Sequence, residues 1–301
     1  MISKSILSFG FRHLKEYQPA AFEKPPVPVF RIWNSMDWVD CKVFHVLYEP
    51  MLVLIQFDND TDFSVFKNCS IRIYDYKYPK KFTSELTVSL LNSINEDNKV
   101  LCFFEVGDAS LNLSSLKKIY LKRIYNFSRK GPNFMSVYNF SIYRKLVALF
   151  SFPKQVRIIS IKLAGKNHHF PIDLCGFAGN TVVIGVRNSN QKMNTLEIGD
   201  TFYLSEANAV DYDQIYALGK FSDCENQATT IETKDMSFPD VISSYQKLRL
   251  QQKLLFENQT LYIAKSTETV TLNDKKPLFH LHKIWLMDGK NFIKVDQYPK
   301  K

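Results

Sequence analysis

Short apolar runs bounded by turn-forming residues dominate the chain. Residues 43–48, 51–57, 70–76 and 100–106 are rich in Val, Ile, Phe and Tyr and end at Asn, Asp or Pro, which predicts strands. Two stretches carry helical spacing instead. Leu86, Leu90, Leu91 and Ile94 predict an amphipathic helix over 84–94, and Leu116, Ile119, Tyr120, Ile124 and Phe127 predict a second one. Ser114 or Ser115 is placed to cap that second helix, and Gly131-Pro132 to stop it. Pro25, Pro26 and Pro28 favour an extended arm before the first strand.

After Phe152-Pro153 the texture changes. Residues 155–163 read as a strand, followed by an Ala-Gly-Lys-Asn hairpin turn. An extended stretch over 168–174 contains Pro171, which implies a sheet edge or a bulge. A turn within 176–179 leads to a clear strand, 181–187, in which Gly185 permits close approach of another chain segment. A polar loop then leads to a short helix expected to begin at Thr195 and to a strand over 201–205. A helix is expected over 209–218, closed by Gly219, and a longer helix or irregular segment over 241–256. Strands are expected at 261–272 and 278–287, then a tight turn at 288–290 into 291–295. Six strands with few helices predict a small closed β-barrel. The expected class is mainly β with some helix (α+β), with a mixed N-terminal region over 1–145 and a barrel domain over 146–301. No repeat of solenoid period is visible.

Composition narrows the picture. With 45% apolar and 23% charged residues in 301, the chain is neither disordered nor collagen-like. Cys41, Cys69, Cys102, Cys175 and Cys224 are scattered and form no C-x-x-C, which argues against a disulfide framework or a structural zinc and fits a reducing compartment. The first residues lack a signal-peptide pattern, and no apolar run approaches the ~18 residues that span a bilayer. A soluble cytoplasmic protein without a membrane span is expected. Charge is uneven. Residues 109–172 hold twelve Lys and Arg and no acid, within a chain of net charge +9, so an anionic partner is expected along this stretch: a phosphate-bearing cofactor, nucleic acid or an acidic membrane surface. A solvated basic face explains the same run.

Candidate chemistry is sparse. G-x-G-x-x-G, the P-loop, H-E-x-x-H and G-x-S-x-G are all missing. His168 and His169 alternate faces on a strand and make a poor chelate, whereas His280 and His282 share a face, as half a metal site or as solvent-facing cross-strand partners, and the second is expected because no third ligand has suitable spacing. The segment 153–219 offers more. Arg187 and Lys192 supply positive charge, and Asn190, Asn194 and Thr195 supply neutral donors, a set suited to a phosphate. Irregular backbone around Phe170 and Pro171 would present N–H and C=O groups to a planar heterocycle. An ordinary hairpin and loop is the alternative. Six of only ten glycines fall within 165–219, which marks the same region.

These residues also resemble a known family. PKQVRIISIKL, GKNHHFPIDL, VVIGVRNSNQKMNTLEIGDTFYLSEA and LFHLHKIWLMDG are similar to the flavin reductase-like, FMN-binding split β-barrel, over about 150–295. The resemblance implies FMN as cofactor, NAD(P)H as co-substrate, hydride transfer from nicotinamide to flavin, and a site completed by a second subunit of a homodimer. It implies that Asn167, Phe170, Pro171, Ile172, Asp173 and Leu174 contact the flavin ring side, and that Arg187, Lys192, Asn194 and Thr195 hold the phosphate. No side chain is then required as catalytic acid or nucleophile, because the cofactor carries the chemistry. Two departures stand out. Asp173 replaces the usual Ser or Thr, and Gly179-Asn180 replaces a Pro-Pro pair. They motivate a second reading, a flavin-binding protein without reductase activity. The basic segment 109–172 motivates a third, a nucleic-acid-binding protein.

Overall fold

A computed structural model describes residues 17–22, 29–33, 38–58, 61–74, 80–96, 99–128, 139–210, 212–220, 230–286 and 293–294. The chain is mainly β. Strand β1 (Tyr17–Ala21) is followed by β2 (Val29–Trp33), β3 (Trp38–Tyr48), β4 (Met51–Asp58), β5 (Asn68–Tyr74), β6 (Phe82–Glu96) and β7 (Lys99–Leu111). Strands β2 to β7 close into a barrel in the order β2-β3-β4-β7-β6-β5, every neighbour antiparallel. Its interior is filled by Ile32, Val53, Ile55, Ile71, Ile73, Leu86, Cys102 and Phe104, all fully buried. Helices α1 (Ser115–Ser128) and α2 (Phe140–Leu149) add Leu121, Ile124, Tyr143 and Leu146 to the same core. Asn139 caps α2, its side-chain oxygen accepting from the Ile142 N–H.

The second half continues with β8 (Lys154–Gln155), β9 (Arg157–Leu163), β10 (Lys166–Ile172), β11 (Cys175–Ala178), β12 (Thr181–Arg187), α3 (Gln191–Asn194), β13 (Thr201–Ala207) and α4 (Tyr212–Lys220). Then come β14 (Thr230–Glu232), β15 (Ser237–Pro239), β16 (Ile242–Leu255), β17 (Gln259–Thr271), β18 (Phe279–His282), α5 (Lys283–Leu286) and β19 (Ile293–Lys294). Seven of these strands form one sheet in the order β10-β9-β13-β16-β17-β12-β11, again all antiparallel. Its two edges, β10 and β11, run in the same direction and are separated only by Asp173 and Leu174. They are the two halves of one bent strand, 166–178, that pairs first with β9 and then with β12. The sheet is therefore rolled up, and one apolar cluster draws on all seven strands, among them Ile161, Phe170, Phe177, Ile184, Phe202, Leu250 and Tyr262. Pro171 lies on the edge half of this strand, as its missing N–H predicts.

A third sheet, β19-β1-β18-β8, joins distant parts of the chain, with Tyr17 opposite His282. A separate cluster joins the two barrels. Val46, Leu47, Leu52, Leu54, Leu101 and Phe103 of the first pack on Ala178, Val183, Leu261 and Ile263 of the second. Gly185 lies at the tightest point, where a Cβ would be 1.7 Å from the Val46 carbonyl oxygen. The close approach expected of this glycine is made by the other barrel.

Several expectations change. Residues 84–94 are not a helix but the middle of β6. Bulges at Thr87/Val88 and Leu90/Asn92 break its two-residue alternation, so its apolar positions drift into a helix-like spacing. The segment 241–256 is likewise strand β16, with bulges at Lys247/Leu248 and Leu250/Gln252. The last long strand stops at His282 and turns into α5. The helix of 115–128, the strand 181–187 and the turn at Ala164-Gly165, both at positive φ, match the sequence reading. Gly131-Pro132, the turn at 288–290 and most of the proline arm lie outside the described residues.

Candidate functional site

The bend of the strand 166–178 is where polar chemistry collects. Asp173 sits at the bend, four-fifths shielded from solvent. His280, on β18, donates its Nδ1–H to Asp173 Oδ2 at 3.1 Å. Its Nε2 lies within hydrogen-bond distance of the Tyr216 hydroxyl from α4, and the two rings are nearly parallel, at 7°. From the first barrel, the Tyr48 hydroxyl reaches Asp173 Oδ1 at 3.5 Å. Burial pulls the Asp173 carboxyl upward, but the His280 hydrogen bond, its charge and that of Lys154 outweigh it and hold the group below the ordinary carboxylate range. Lys154 is 5% exposed, its ammonium lying over Phe152 at 4.5 Å and Phe150 at 5.4 Å. Burial brings its pKa down to about 7, against the opposing pull of Asp173.

Two expectations about histidine are corrected here. His280 and His282 do not face solvent. The His280 side chain is only 18% exposed and His282 is 0% exposed, so both rings are turned into protein. His282 is fully buried. Its Nδ1 accepts the Ile284 N–H and its Nε2 meets the Tyr143 hydroxyl at 3.2 Å, which fixes a neutral ring, and burial lowers its pKa to about 3. His169 bonds Ser160 across the strand pair at 2.8 Å. Among the described residues no group of three or more His, Cys, Asp or Glu is arranged to hold a metal ion.

The residues expected at the ring side divide between the two faces of β10. Phe170 and Ile172 pack on the barrel core, and Leu174 is buried. Asn167, His169 and Pro171 alternate onto the opposite face, where α4 and β15 pack against the strand. The Asn167 side-chain oxygen is buried there without a hydrogen-bond partner. Among the described residues no strand pairs with the outer edge of β10.

Arg187 ends β12, and Lys192, Asn194 and Thr195 lie on the connection from it to β13. Thr195 does not begin a helix as expected. Asn190 caps the single turn of α3, and Thr195 is its C-cap, with its hydroxyl donating to the Lys192 carbonyl at 2.8 Å. Asn194 donates to the Asn188 carbonyl at 2.7 Å and accepts from the Tyr262 hydroxyl at 3.1 Å. Met193 and Leu196 anchor the turn in the barrel core, so the loop is a preformed lid on the barrel end. Lys253 approaches the Asn194 carbonyl at 3.4 Å, adding a third cation that the sequence reading missed. His280, Tyr216, Lys154 and Tyr48 were also missed, because each reaches the bend from a different, distant stretch of chain.

The basic run 109–172 disperses in the fold. Arg144 pairs with Asp108 at 3.2 Å, Arg157 with Glu206 at 3.2 Å, and Lys154 is buried, whereas Lys118, Lys122 and Arg123 are exposed on α1.

No family model matches the chain, and no curated protein matches it. Solved structures similar to it include the styrene monooxygenase flavin reductase of Pseudomonas putida S12, at 14% identity and a TM-score of 0.40 over 44% of this chain and 90% of that one. An NADH:FAD oxidoreductase of Streptomyces globisporus C-1027 is similar at 9% identity and a TM-score of 0.40 over 46% and 88%. An FMN-binding protein of Thermus thermophilus is similar at 13% identity and 0.37 over 40% and 73%. No helix among the described residues is long and apolar enough to cross a membrane. Over somewhat less than half its length, the chain is thus similar to solved flavin reductases and FMN-binding split-barrel proteins.

Proposed function

We propose that the second barrel binds FMN and passes hydride to it from NAD(P)H. The observation that carries this reading is the buried Asn167 oxygen, which lacks a partner beside an unpaired strand edge. A buried acceptor without a donor is costly, by about 1–3 kcal/mol, and a ring N–H of a bound heterocycle relieves it. Phe170 to Leu174 frame the same strand and turn its backbone groups toward the ligand. Arg187, Lys192, Asn194 and Thr195 hold the phosphate from the β12–β13 connection, with Lys253 adding charge.

Bound flavin supplies hydride acceptance. The chain's own residues bind and orient. Asp173 acts through its bonds to His280 and Tyr48, which pin the bend of the strand, and its carboxylate is neutralised there rather than turned free toward the ring. FMN and NAD(P)H both carry negatively charged phosphates, and the cations of the loop favour their approach.

An absorption spectrum of protein purified without added cofactor, followed by FMN titration monitored by fluorescence quenching, tests the reading. Flavin bands, or micromolar or tighter binding, are expected. The absence of quenching and of any thermal shift removes the cofactor. Flavin-loaded protein that oxidises no NAD(P)H removes the hydride step and leaves a binding protein. If Lys192→Ala together with Thr195→Ala leaves FMN affinity unchanged, the phosphate site lies elsewhere.

A further inference from the structure

The two barrels have the same plan. Numbered from first to sixth along the chain, the strands of the first barrel are β2 to β7. Those of the second are β9, the bent strand β10–β11, β12, β13, β16 and β17. Around both barrels the order is first, second, third, sixth, fifth, fourth, with every neighbour antiparallel. The connections agree as well. The second and third strands are joined by two residues in each case, Glu49-Pro50 and Gly179-Asn180. The third and fourth are joined in each case by a loop with one helical turn, Phe63–Phe66 in the first barrel and Gln191–Asn194 in the second.

The barrels also meet through the same elements. The cluster between them takes Val46, Leu54 and Phe103 from the second, third and sixth strands of the first barrel. It takes Ala178, Val183 and Ile263 from the second, third and sixth strands of the other. A surface that meets its own counterpart is the signature of a two-fold dimer. Here both counterparts belong to one chain.

The halves differ in the third-to-fourth connection. The connection 187–200 opens with Arg187 and Lys192 and places its two acids, Glu197 and Asp200, at the far end next to β13, a net charge of 0. Residues 58–67 carry Asp58, Asp60, Asp62 and only Lys67 in return, a charge of −2. An anion is favoured at the start of one loop, where Arg187 and Lys192 lie without an acid between them, and repelled by the net charge of the other.

We infer that the chain is a two-fold dimer fused into a single polypeptide, in which the first barrel takes the place of a second subunit and only the second barrel keeps an anion-binding loop. The first barrel contributes to the site as a partner would, through Tyr48 on Asp173 and through the Glu49 turn. There Gln259 Oε1 accepts both the Tyr48 N–H, at 2.6 Å, and the Glu49 N–H, at 2.8 Å. One phosphate-bearing flavin per monomeric chain is the consequence. The identity of that ligand rests on the function proposed above, whereas the fused arrangement does not.

Two measurements on the full chain test this. Light scattering at micromolar concentration is expected to give the 35.1 kDa of one chain. A mass of two chains overturns the inference, because a partner would then still be required. FMN titration against absorbance is expected to break at one equivalent per chain. Two equivalents would show that the acidic loop also binds, and half an equivalent that two chains share a site; either result overturns it. A single-chain mass with no FMN binding supports the fused dimer and removes flavin as its ligand, so the two failures are distinct. Lys192→Glu is expected to weaken FMN by about tenfold or more, a change of about 1.4 kcal/mol. Asp62→Lys is expected to leave it unchanged; an equal loss in both variants overturns the assignment of the anion to one loop.

Discussion

The two barrels share a strand order and differ in what they place at their common boundary. The first offers bulk: Val46, Leu52, Leu54 and Phe103 stand out from its strands. The second offers gaps: at Gly176 a Cβ would fall 2.7 Å from Leu54 Cδ2, and at Gly185 it would meet the backbone of Val46. One half is knob and the other hole. A symmetric dimer must use one surface for both roles. A fused pair is free to divide them, and the scarce glycines are found on the side that receives.

Filling the tightest hole gives the largest expected effect. Gly185→Val would drive a side chain into the Val46 carbonyl, which cannot yield without moving the strand. A loss on the order of 3 kcal/mol is expected, or failure to fold, read by urea unfolding. Gly176→Ala meets the mobile end of Leu54 instead and is expected to cost less. Equal losses from the two would show that the boundary relaxes as a whole and would break the division into knob and hole.

Next is the polar clasp. Gln259→Leu leaves the Tyr48 and Glu49 N–H groups without their shared acceptor, at an expected cost of about 1–3 kcal/mol. A negligible change would show that water replaces the amide and that the barrels are held by apolar contact alone.

Acid acts on the second half through His282. Its folded pKa of about 3 lies below that of the unfolded chain, so the unfolded state binds the extra proton. Stability is full above about pH 6.5 and falls as pH drops from there toward 3, by at most about 1.4 kcal/mol per pH unit. His282→Gln should flatten this slope in unfolding measured between pH 4 and 7, a range set by the neutral-imidazole reference of about 6.5. An unchanged slope would assign the acid sensitivity to other groups, such as His169, whose pKa burial lowers to about 4. The smallest effect is expected at the rim of the boundary. Lys265 and Glu96 pair across the barrels at 2.8 Å with the lysine well exposed, so Lys265→Met should cost less than about 1 kcal/mol and less still in high salt.

The sequence was legible where neighbours in the chain are neighbours in space. The hairpin of β11 and β12 declares itself through Gly179-Asn180 and an unbroken apolar run, and α1 through its helical spacing, although Leu116 and Ile119 of the expected stripe are exposed and Leu121 and Tyr125 join Ile124 in the core. Long strands with bulges were not legible, because each extra residue shifts the alternation and imitates a helix, as in β6 and β16. The cations of the β12–β13 loop could be read because they are contiguous. The network at Asp173 could not, since Tyr48, Lys154, Tyr216 and His280 converge only after both barrels and the β1–β18 sheet have formed. The shared plan of the barrels is held in strand order and left no repeat in the residues.

The sheet that joins β1 to β18 has a consequence for the order of events during synthesis. Every strand pair of the first barrel lies within residues 29–111, so this half can close while the remainder is still being made. Tyr17 must wait for His282, almost the whole length of the chain later. Its strand stays unpaired throughout translation of the second barrel, and the polar network, which needs His280 on the same late strand, is assembled last. The Asp173 network is thus the final product of folding, and a chain that ends before β18 holds two barrels without it.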